Sequence, residues 1–181
     1  MSLKTIHRGI RKMGFAAWNG VDSYGPLHEI LGARNMSVDL VVETDQQRGD
    51  DVVLDRYSKV IAATVNVEMA TVDVEWLEMV LGGTLQSNAD YEDLAFDEND
   101  DPPYVGIVGR VAGSGGNGDL HIFIKKARLS SNLTLQAQVD TYMVPGATFE
   151  GVSDGGGIYH IRNYPEPTAL AIPLRTTKGG L

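Results

Sequence analysis

The stretch Lys59-Val60-Ile61-Ala62-Ala63-Thr64-Val65-Asn66-Val67-Glu68-Met69 decides the fold class, because its side chains alternate between two faces. The odd-numbered positions from Ile61 to Met69 are apolar, whereas the opposite face turns polar at Thr64, Asn66 and Glu68. A period of two residues is that of a half-buried β-strand. The stretch therefore predicts a strand whose apolar face lies against a core.

Residues 36–44 have the same period and are the predicted partner of this strand. The connection between the two strands is polar from Asp45 to Asp51 and apolar from Val52 to Leu54. It is longer than the two to five residues of a minimal hairpin, and oversized connections in compact domains are usually functional or flexible. We therefore predict an extended arm over residues 45–57.

The best helix signal runs from Asp73 to Leu81. Asp73 can cap the first amides, and Gly82-Gly83 supplies a left-handed stop. Because a helix of about nine residues is not stable alone, its apolar stripe must dock on a sheet. The helix is therefore expected to plug the end of a sandwich or barrel. The side chains predicted to make its core contacts are Val74, Trp76, Leu77 and Leu81, with Val80 widening the stripe.

Further strand signals, each bounded by turn residues, cover residues 104–112, 119–127, 133–139, 142–152 and 158–164. Residues 86–103 hold seven carboxylates and are predicted as a solvated acidic loop. Residues 1–14 and 165–181 are predicted as an N-terminal arm and a C-terminal tail. Together these elements predict a single domain over residues 1–181. Its fold class is mainly β, an antiparallel sandwich or barrel with one short helix and long extended loops.

The composition narrows the classes of function. The chain has 181 residues, no cysteine and a formal net charge of −9. Without cysteine, no disulfide, thiolate metal site or cysteine nucleophile is available. The negative charge argues against a nucleic-acid-binding module, which gains affinity from clustered Lys and Arg. The first 13 residues carry no apolar run of signal-peptide or membrane-span length, so we expect no membrane anchor.

No catalytic or cofactor-binding constellation emerges from the sequence. There is no Gly-x-Ser-x-Gly nucleophile elbow, and the four histidines fall singly on separate elements. His28 and His121 are the two that could meet in space as a metal pair. Residues 97–101 begin with the spacing of a calcium loop, but Pro102 and Val108 stand where that loop needs Gly and Glu. We therefore predict a protein that is not an enzyme and has no cofactor.

The order of elements from Ala33 to Leu85 resembles the core of the major tail tube proteins of long-tailed, siphovirus-type bacteriophages. The shared pattern is a strand, a long polar arm, a second strand and a short helix closed by glycine. It is carried here by residues 37–43, 48–51, 60–69 and 74–83. Gly49-Asp50 is similar to a Gly-Asp pair that family members often carry in the arm. The resemblance covers about a third of the chain, and residues 86–103 map to no family feature.

The resemblance implies a structural virion protein. Six copies would close into a ring, and the rings would stack into a hollow tail tube that conducts the viral DNA without binding it specifically. The partners would be further copies of the chain, other tail proteins at the tube ends and a tape measure protein. The protein would assemble in the cytoplasm of the bacterial host and reside in the virion tail.

Two groups of residues acquire expected roles from this resemblance. The arm and both termini would contact neighbouring subunits and rings, and the arm residues concerned are Gln46, Gln47, Arg48, Gly49, Asp50, Asp51, Val53 and Leu54. The polar face of the paired strands would line the lumen or support it, through Asp39, Glu43, Asn66 and Glu68. Negative charge there would repel DNA phosphates over a Debye length of about 8–10 Å.

Three other interpretations stay open at this point. The same pattern fits almost as well a tube protein of a contractile tail or of a secretion system. A monomeric ligand-binding β-sandwich, such as a carbohydrate-binding module, would expose aromatic platforms, but the only tryptophans are Trp18 and Trp76, and Trp76 is assigned to helix packing. An enzyme on a β-barrel would need polar groups that converge in a pocket, which a sequence does not reveal.

Overall fold

The computed structural model describes residues 7–49, 52–71, 73–114, 118–131, 133, 135 and 144–172. These residues form eleven strands and one helix, α1 (Val74–Leu81). The strands are β1 (His7–Gly20), β2 (Ser23–Tyr24), β3 (His28–Ile30), β4 (Ala33–Gly49), β5 (Val52–Met69), β6 (Thr84–Ser87), β7 (Glu92–Ala95), β8 (Val105–Gly113), β9 (Asp119–Leu129), β10 (Gly146–Gly151) and β11 (Tyr159–Tyr164).

Nine of these strands form one antiparallel sheet. Its main order is β2-β1-β8-β9-β10-β5-β4, with β3 added to β1 and β11 added to β9. Strands β6 and β7 form a separate hairpin. The predicted fold class, mainly antiparallel β with one short helix in a sandwich-like or barrel-like arrangement, is confirmed, and the sheet does not close on itself.

Each face of the sheet carries an apolar cluster. The larger cluster includes the helix and is built around Phe15, Trp76 and Phe149. The smaller cluster lies around Val108 and Phe123. Since successive side chains of a strand point to opposite faces, neighbouring positions of β8 and β9 supply both clusters.

Helix α1 begins and ends where the sequence predicts. The Oδ1 atom of Asp73 accepts hydrogen bonds from the amides of Glu75 and Trp76 at 3.0 and 3.3 Å, which caps the first turn. Gly82 ends the helix with a φ of 82°, a left-handed conformation that glycine adopts without strain.

The residues that α1 buries differ in part from those predicted. Of the four predicted core contacts, Trp76 and Leu77 are buried, whereas Val74 and Leu81 are half-buried. Val80 completes the buried stripe. The helix thus docks mainly through the middle of its sequence.

A β-bulge in β5 limits the predicted apolar face of that strand. The step from Val41 to Val42 on β4 spans two residues on β5, so Ile61 is an extra residue without a partner in the ladder. The odd-numbered positions of residues 63–69 are buried, as the alternation predicts. Ile61 was predicted on the same face but is 43% exposed, and beyond the bulge the position that faces the core is Val60, which packs against the larger cluster.

The prediction of an N-terminal arm over residues 1–14 is wrong for its described part, because residues 7–14 belong to β1. Met13 and Phe15 of this strand are fully buried in the larger cluster. Two register shifts against β8 interrupt the alternation of β1, and Gly9 takes a φ of 53° at the first of them. Because these bulges interrupt the two-residue alternation of side chains, the sequence pattern does not predict the strand.

The predicted acidic loop over residues 86–103 is not a loop throughout. Its first part belongs to the β6–β7 hairpin, whose register runs from Thr84↔Ala95 to Ser87↔Glu92. Its last part is tied to β9 by Arg128, which forms an ion pair with Asp101 and donates a hydrogen bond to the carbonyl of Pro102. The segment remains solvent-exposed over most of its length.

The predicted C-terminal tail over residues 165–181 packs against the sheet in its described part, residues 165–172. The amide of Thr168 donates a hydrogen bond to the Asp119 carboxylate at 2.7 Å. Leu170 is buried against Val108 and Phe123. The prediction of a free tail is therefore wrong for these residues, and residues 173–181 lie outside the described ones.

Two further predictions extend into residues that the structure does not describe. Strands β8 and β9 pair as predicted, and residues 115–117, at the tip of their hairpin, lie outside the described residues. In the predicted strand over residues 133–139, Leu133 and Leu135 are described and are not part of a strand.

Candidate assembly surface

Strands β4 and β5 form a hairpin that extends beyond the rest of the sheet. Their register runs from Ala33↔Met69 to Gly49↔Val52. Strand β10 pairs with β5 only along residues 63–68, so the outer part of the hairpin has no third strand within the described chain. We call this outer part, residues 42–49 and 52–60, the ribbon. At about 3.4 Å per residue the ribbon is roughly 25 Å long, close to the diameter of a small domain.

The ribbon contains the predicted arm, residues 45–57. The prediction of an oversized loop is wrong, because the two strands continue through it and leave only Asp50 and Asp51, which lie outside the described residues, between them. Gln46 pairs with Arg56 across the ribbon. The other predicted contact residues of the arm lie in the two strands: Gln47, Arg48 and Gly49 in β4, and Val53 and Leu54 in β5.

Large apolar side chains are exposed along the ribbon and at its root. They are Leu40, Val41, Val42, Tyr57 and Ile61, with exposed fractions from 39% to 65%. Of these, Val42 and Tyr57 lie in the ribbon itself, and alternation along β4 places Leu40 and Val42 on the face opposite Val41. A two-stranded hairpin is at best marginally stable in water. The ribbon therefore has the character of a surface that another molecule covers.

The predicted lumen residues lie on one face of the hairpin. Alternation along β4 places Asp39 and Glu43 on the same side, and the register places Asn66 and Glu68 on that side of β5. Asp39, Glu43 and Glu68 are exposed, whereas Asn66 is half-buried. The structure thus places three carboxylates at intervals along one exposed face, with Lys59 directly opposite Glu43.

Asn66 links three neighbouring strands of the sheet. Its Oδ1 atom accepts a hydrogen bond from Thr148 Oγ1 at 2.7 Å, and its Nδ2 atom donates one to Ser37 Oγ at 3.3 Å. These bonds join β10, β5 and β4 across the sheet. Asn66 therefore has a structural contact that its polar position in the sequence did not reveal.

Strand β4 is an edge of the sheet. Within the described residues, no strand pairs with its outer side, and the strand is 17 residues long. Long edge strands present unpaired amides and carbonyls, and proteins cover them or pair them with another chain. The edge of β4 thus adds a second feature that favours self-association.

A cluster that the sequence did not predict joins β3 to the start of α1. His28 Nε2 lies 2.8 Å from Asp73 Oδ2, and His28 Nδ1 lies 3.4 Å from Glu75 Oε2. Each ring nitrogen therefore faces a different carboxylate, which suits a clamp on the first helical turn rather than one shared ion. The possible metal pair of His28 and His121 gains no support from the structure. The ring of His121 packs elsewhere, against that of Tyr164, with the ring centroids 4.6 Å apart.

A buried ion pair braces the loop that follows β10. Lys125 and Asp154 are both buried, with Nζ and Oδ2 3.7 Å apart, and Lys125 Nζ donates a hydrogen bond to the carbonyl of Gly156 at 3.0 Å. Tyr24 donates from its hydroxyl to the carbonyl of Lys125 at 3.0 Å. Burial, together with the charge of Asp154, raises the pKa of Tyr24, so its hydroxyl stays protonated and available as a donor.

The stability of the fold is expected to fall on acidification because of His121. Burial lowers the pKa of this histidine, and Arg110 and Arg162 lower it further against the opposing charge of Asp119. A group with a lower pKa in the folded state binds more protons when unfolded, so stability is lost as pH falls through the unfolded value of about 6.5. His121→Phe keeps a ring and removes the titration, and we expect it to flatten the decrease in unfolding free energy between pH 7.5 and 5.5.

Denaturant titrations at several pH values test this expectation. His160→Phe is the companion variant, because burial also lowers the pKa of His160. The contribution of His160 to the pH dependence of the unfolding free energy must therefore be measured separately. If His121→Phe and the wild type showed the same pH dependence, the assigned role of His121 would be wrong.

No protein-family model matches the sequence, and a search of curated proteins finds no match. Among the described residues, no helix is long and apolar enough to span a lipid bilayer.

Proposed function

We propose that this chain is the tail tube subunit of a long-tailed bacteriophage. Six copies close into a ring, and stacked rings form a hollow tube through which DNA passes during ejection. The observation that carries the proposal is the ribbon, a two-stranded projection of roughly 25 Å that exposes apolar side chains. Tube-end proteins and a tape measure protein are its further partners in the virion.

Ring closure accounts for the open sheet. The long outer edge of β4 is unpaired within the described chain, and the sheet does not close on itself. In a closed ring, each subunit meets a neighbour on both sides, so an edge of one copy is covered by the next. A subunit with one open edge and one projecting ribbon is suited to contacts both within a ring and between rings.

The acidic face of the hairpin suits a channel for DNA. Asp39, Glu43 and Glu68 are exposed on one side of β4 and β5. Facing the lumen, their charge would repel phosphates at short range, so DNA would slide past the wall rather than bind to it. The formal net charge of −9 has the same sign.

Negative-stain electron microscopy of the purified protein over a concentration series, paired with light scattering, tests the proposal. We expect hollow rings or tubes above a threshold concentration, with masses that are multiples of six 19.6 kDa chains. A species that stayed monomeric at every concentration and salt condition would contradict the proposal and favour a ligand-binding β-sandwich.

A further inference from the structure

One face of the ribbon is acidic towards its outer end. Alternation places Glu43 and Asp45 on the same face of β4, and the register places Asp55 on that face of β5, where Lys59 is the one described cation. Asp45 and Asp55 are exposed, and the register places them on the same face as Tyr57, which is 65% exposed. Each carboxylate accepts a hydrogen bond from the amide of the next residue at 2.8 Å. The ribbon thus presents carboxylates beside an exposed aromatic ring.

A basic groove lies between β1, β8 and the C-terminal segment. It has a volume of about 440 Å³, and its lining includes Arg11, Lys12, Arg110, Ala112 and Pro167. Lys12 and Arg110 face each other across the two strands, so two positive charges stand side by side. The lining also includes the carboxylate of Asp119.

The positive charge of the groove is only partly neutralised within the subunit. Lys12 Nζ lies 2.5 Å from Glu29 Oε2, and Arg110 Nε lies 3.0 Å from Asp119 Oδ2. Arg11 is exposed and forms no ion pair with any described residue. The register of β1 against β8 skips Arg11, which makes it the extra residue of a bulge, and bulges commonly re-aim a side chain.

We infer that the face of the ribbon that carries Asp45 and Asp55 in one copy seats in the basic groove of a second copy. The inference rests on the proposed function and specifies which two surfaces meet. In the groove, Arg11 meets the carboxylates of Asp45 and Asp55, while Tyr57 lies against the apolar parts of the lining. Opposite charges on an approaching pair of surfaces fix the register of docking and raise the rate of encounter.

Charge reversal tests the inference in the full-length protein. Arg11→Glu, and separately Asp45→Lys with Asp55→Lys, are each expected to raise the threshold concentration for assembly about tenfold, because each puts like charges together. Combining all three substitutions restores opposite charges and is expected to bring the threshold back to within about threefold of the wild type. Assembly is measured by light scattering, and circular dichroism checks that each variant is folded.

A matched control for the ribbon reversal is Asp90→Lys with Asp93→Lys, at exposed positions away from both surfaces. This double variant is expected to assemble at the wild-type threshold. The inference would be overturned if the charge reversals had no effect, or if the combined variant assembled as poorly as its parents. In either case, tubes formed by the wild type would still support the proposed function. A wild type that never assembled would overturn both.

Discussion

Replacing Trp76 with alanine is expected to lower the free energy of unfolding by about 3–5 kcal/mol, the cost of truncating a large buried aromatic residue. Trp76 is 1% exposed, and its ring lies edge-on to Phe15 with centroids 5.7 Å apart. Phe15 lies in turn 5.6 Å from Phe149, so three rings connect α1, β1 and β10. Because the surrounding strands are paired, they cannot collapse fully into the space that the indole leaves.

Urea denaturation at protein concentrations below any assembly threshold measures this loss. Tyr91→Ala is the matched control, since Tyr91 is 62% exposed and its removal should cost less than about 0.5 kcal/mol. Similar losses for the two variants would show that α1 does not depend on its buried stripe for docking.

The elements that the sequence predicts best are those whose signals are local. Helix α1 has its cap, apolar stripe and glycine stop within eleven residues, and its observed bounds follow them. The pairing of β4 with β5 follows from two adjacent alternating runs. Both depend on side chains that are close in sequence, so no knowledge of distant partners is needed.

The elements that the sequence misses depend on partners far away in the chain. Strand β1 pairs with β8, almost a hundred residues further on, and its bulges serve that register. Ile61 leaves the apolar face because β4 is one residue shorter across the bulge, which only the pairing of both strands reveals. Leu170 is buried because β8 and β9 offer it an apolar face, although proline and glycine around it indicate a tail.

The candidate surfaces divide in the same way. The arm and the acidic positions of β4 and β5 could be found from the alternation and from the length of the connection. The basic groove could not, because Arg11 and Lys12 meet Arg110 only through the long-range register of β1 against β8. The sequence does show a concentration of basic residues before Met13. That concentration alone does not indicate which surface these residues contact.

Shortening the ribbon is expected to abolish tube formation while the subunit stays folded. In the variant, an Asn-Gly turn replaces residues 44–58 and joins Glu43 to Lys59, which pair across the hairpin. Asn-Gly is suited to a two-residue hairpin turn. None of the replaced residues whose side chains the structure describes, 44–46 and 55–58, belongs to either apolar cluster, so we expect the free energy of unfolding to change by less than about 1 kcal/mol. Light scattering and electron microscopy, at concentrations where the wild type forms tubes, measure the effect.

The control for this variant shortens a different exposed hairpin, β6–β7. An Asn-Gly turn replaces residues 88–91 between β6 and β7, which is expected to leave tubes intact because the change lies away from the ribbon. Loss of tubes in both variants would indicate a general sensitivity to hairpin length. Tubes formed by the ribbon variant at the wild-type concentration would show that rings stack without the ribbon, and the exposed apolar side chains of β4 and β5 would then need another partner to cover them.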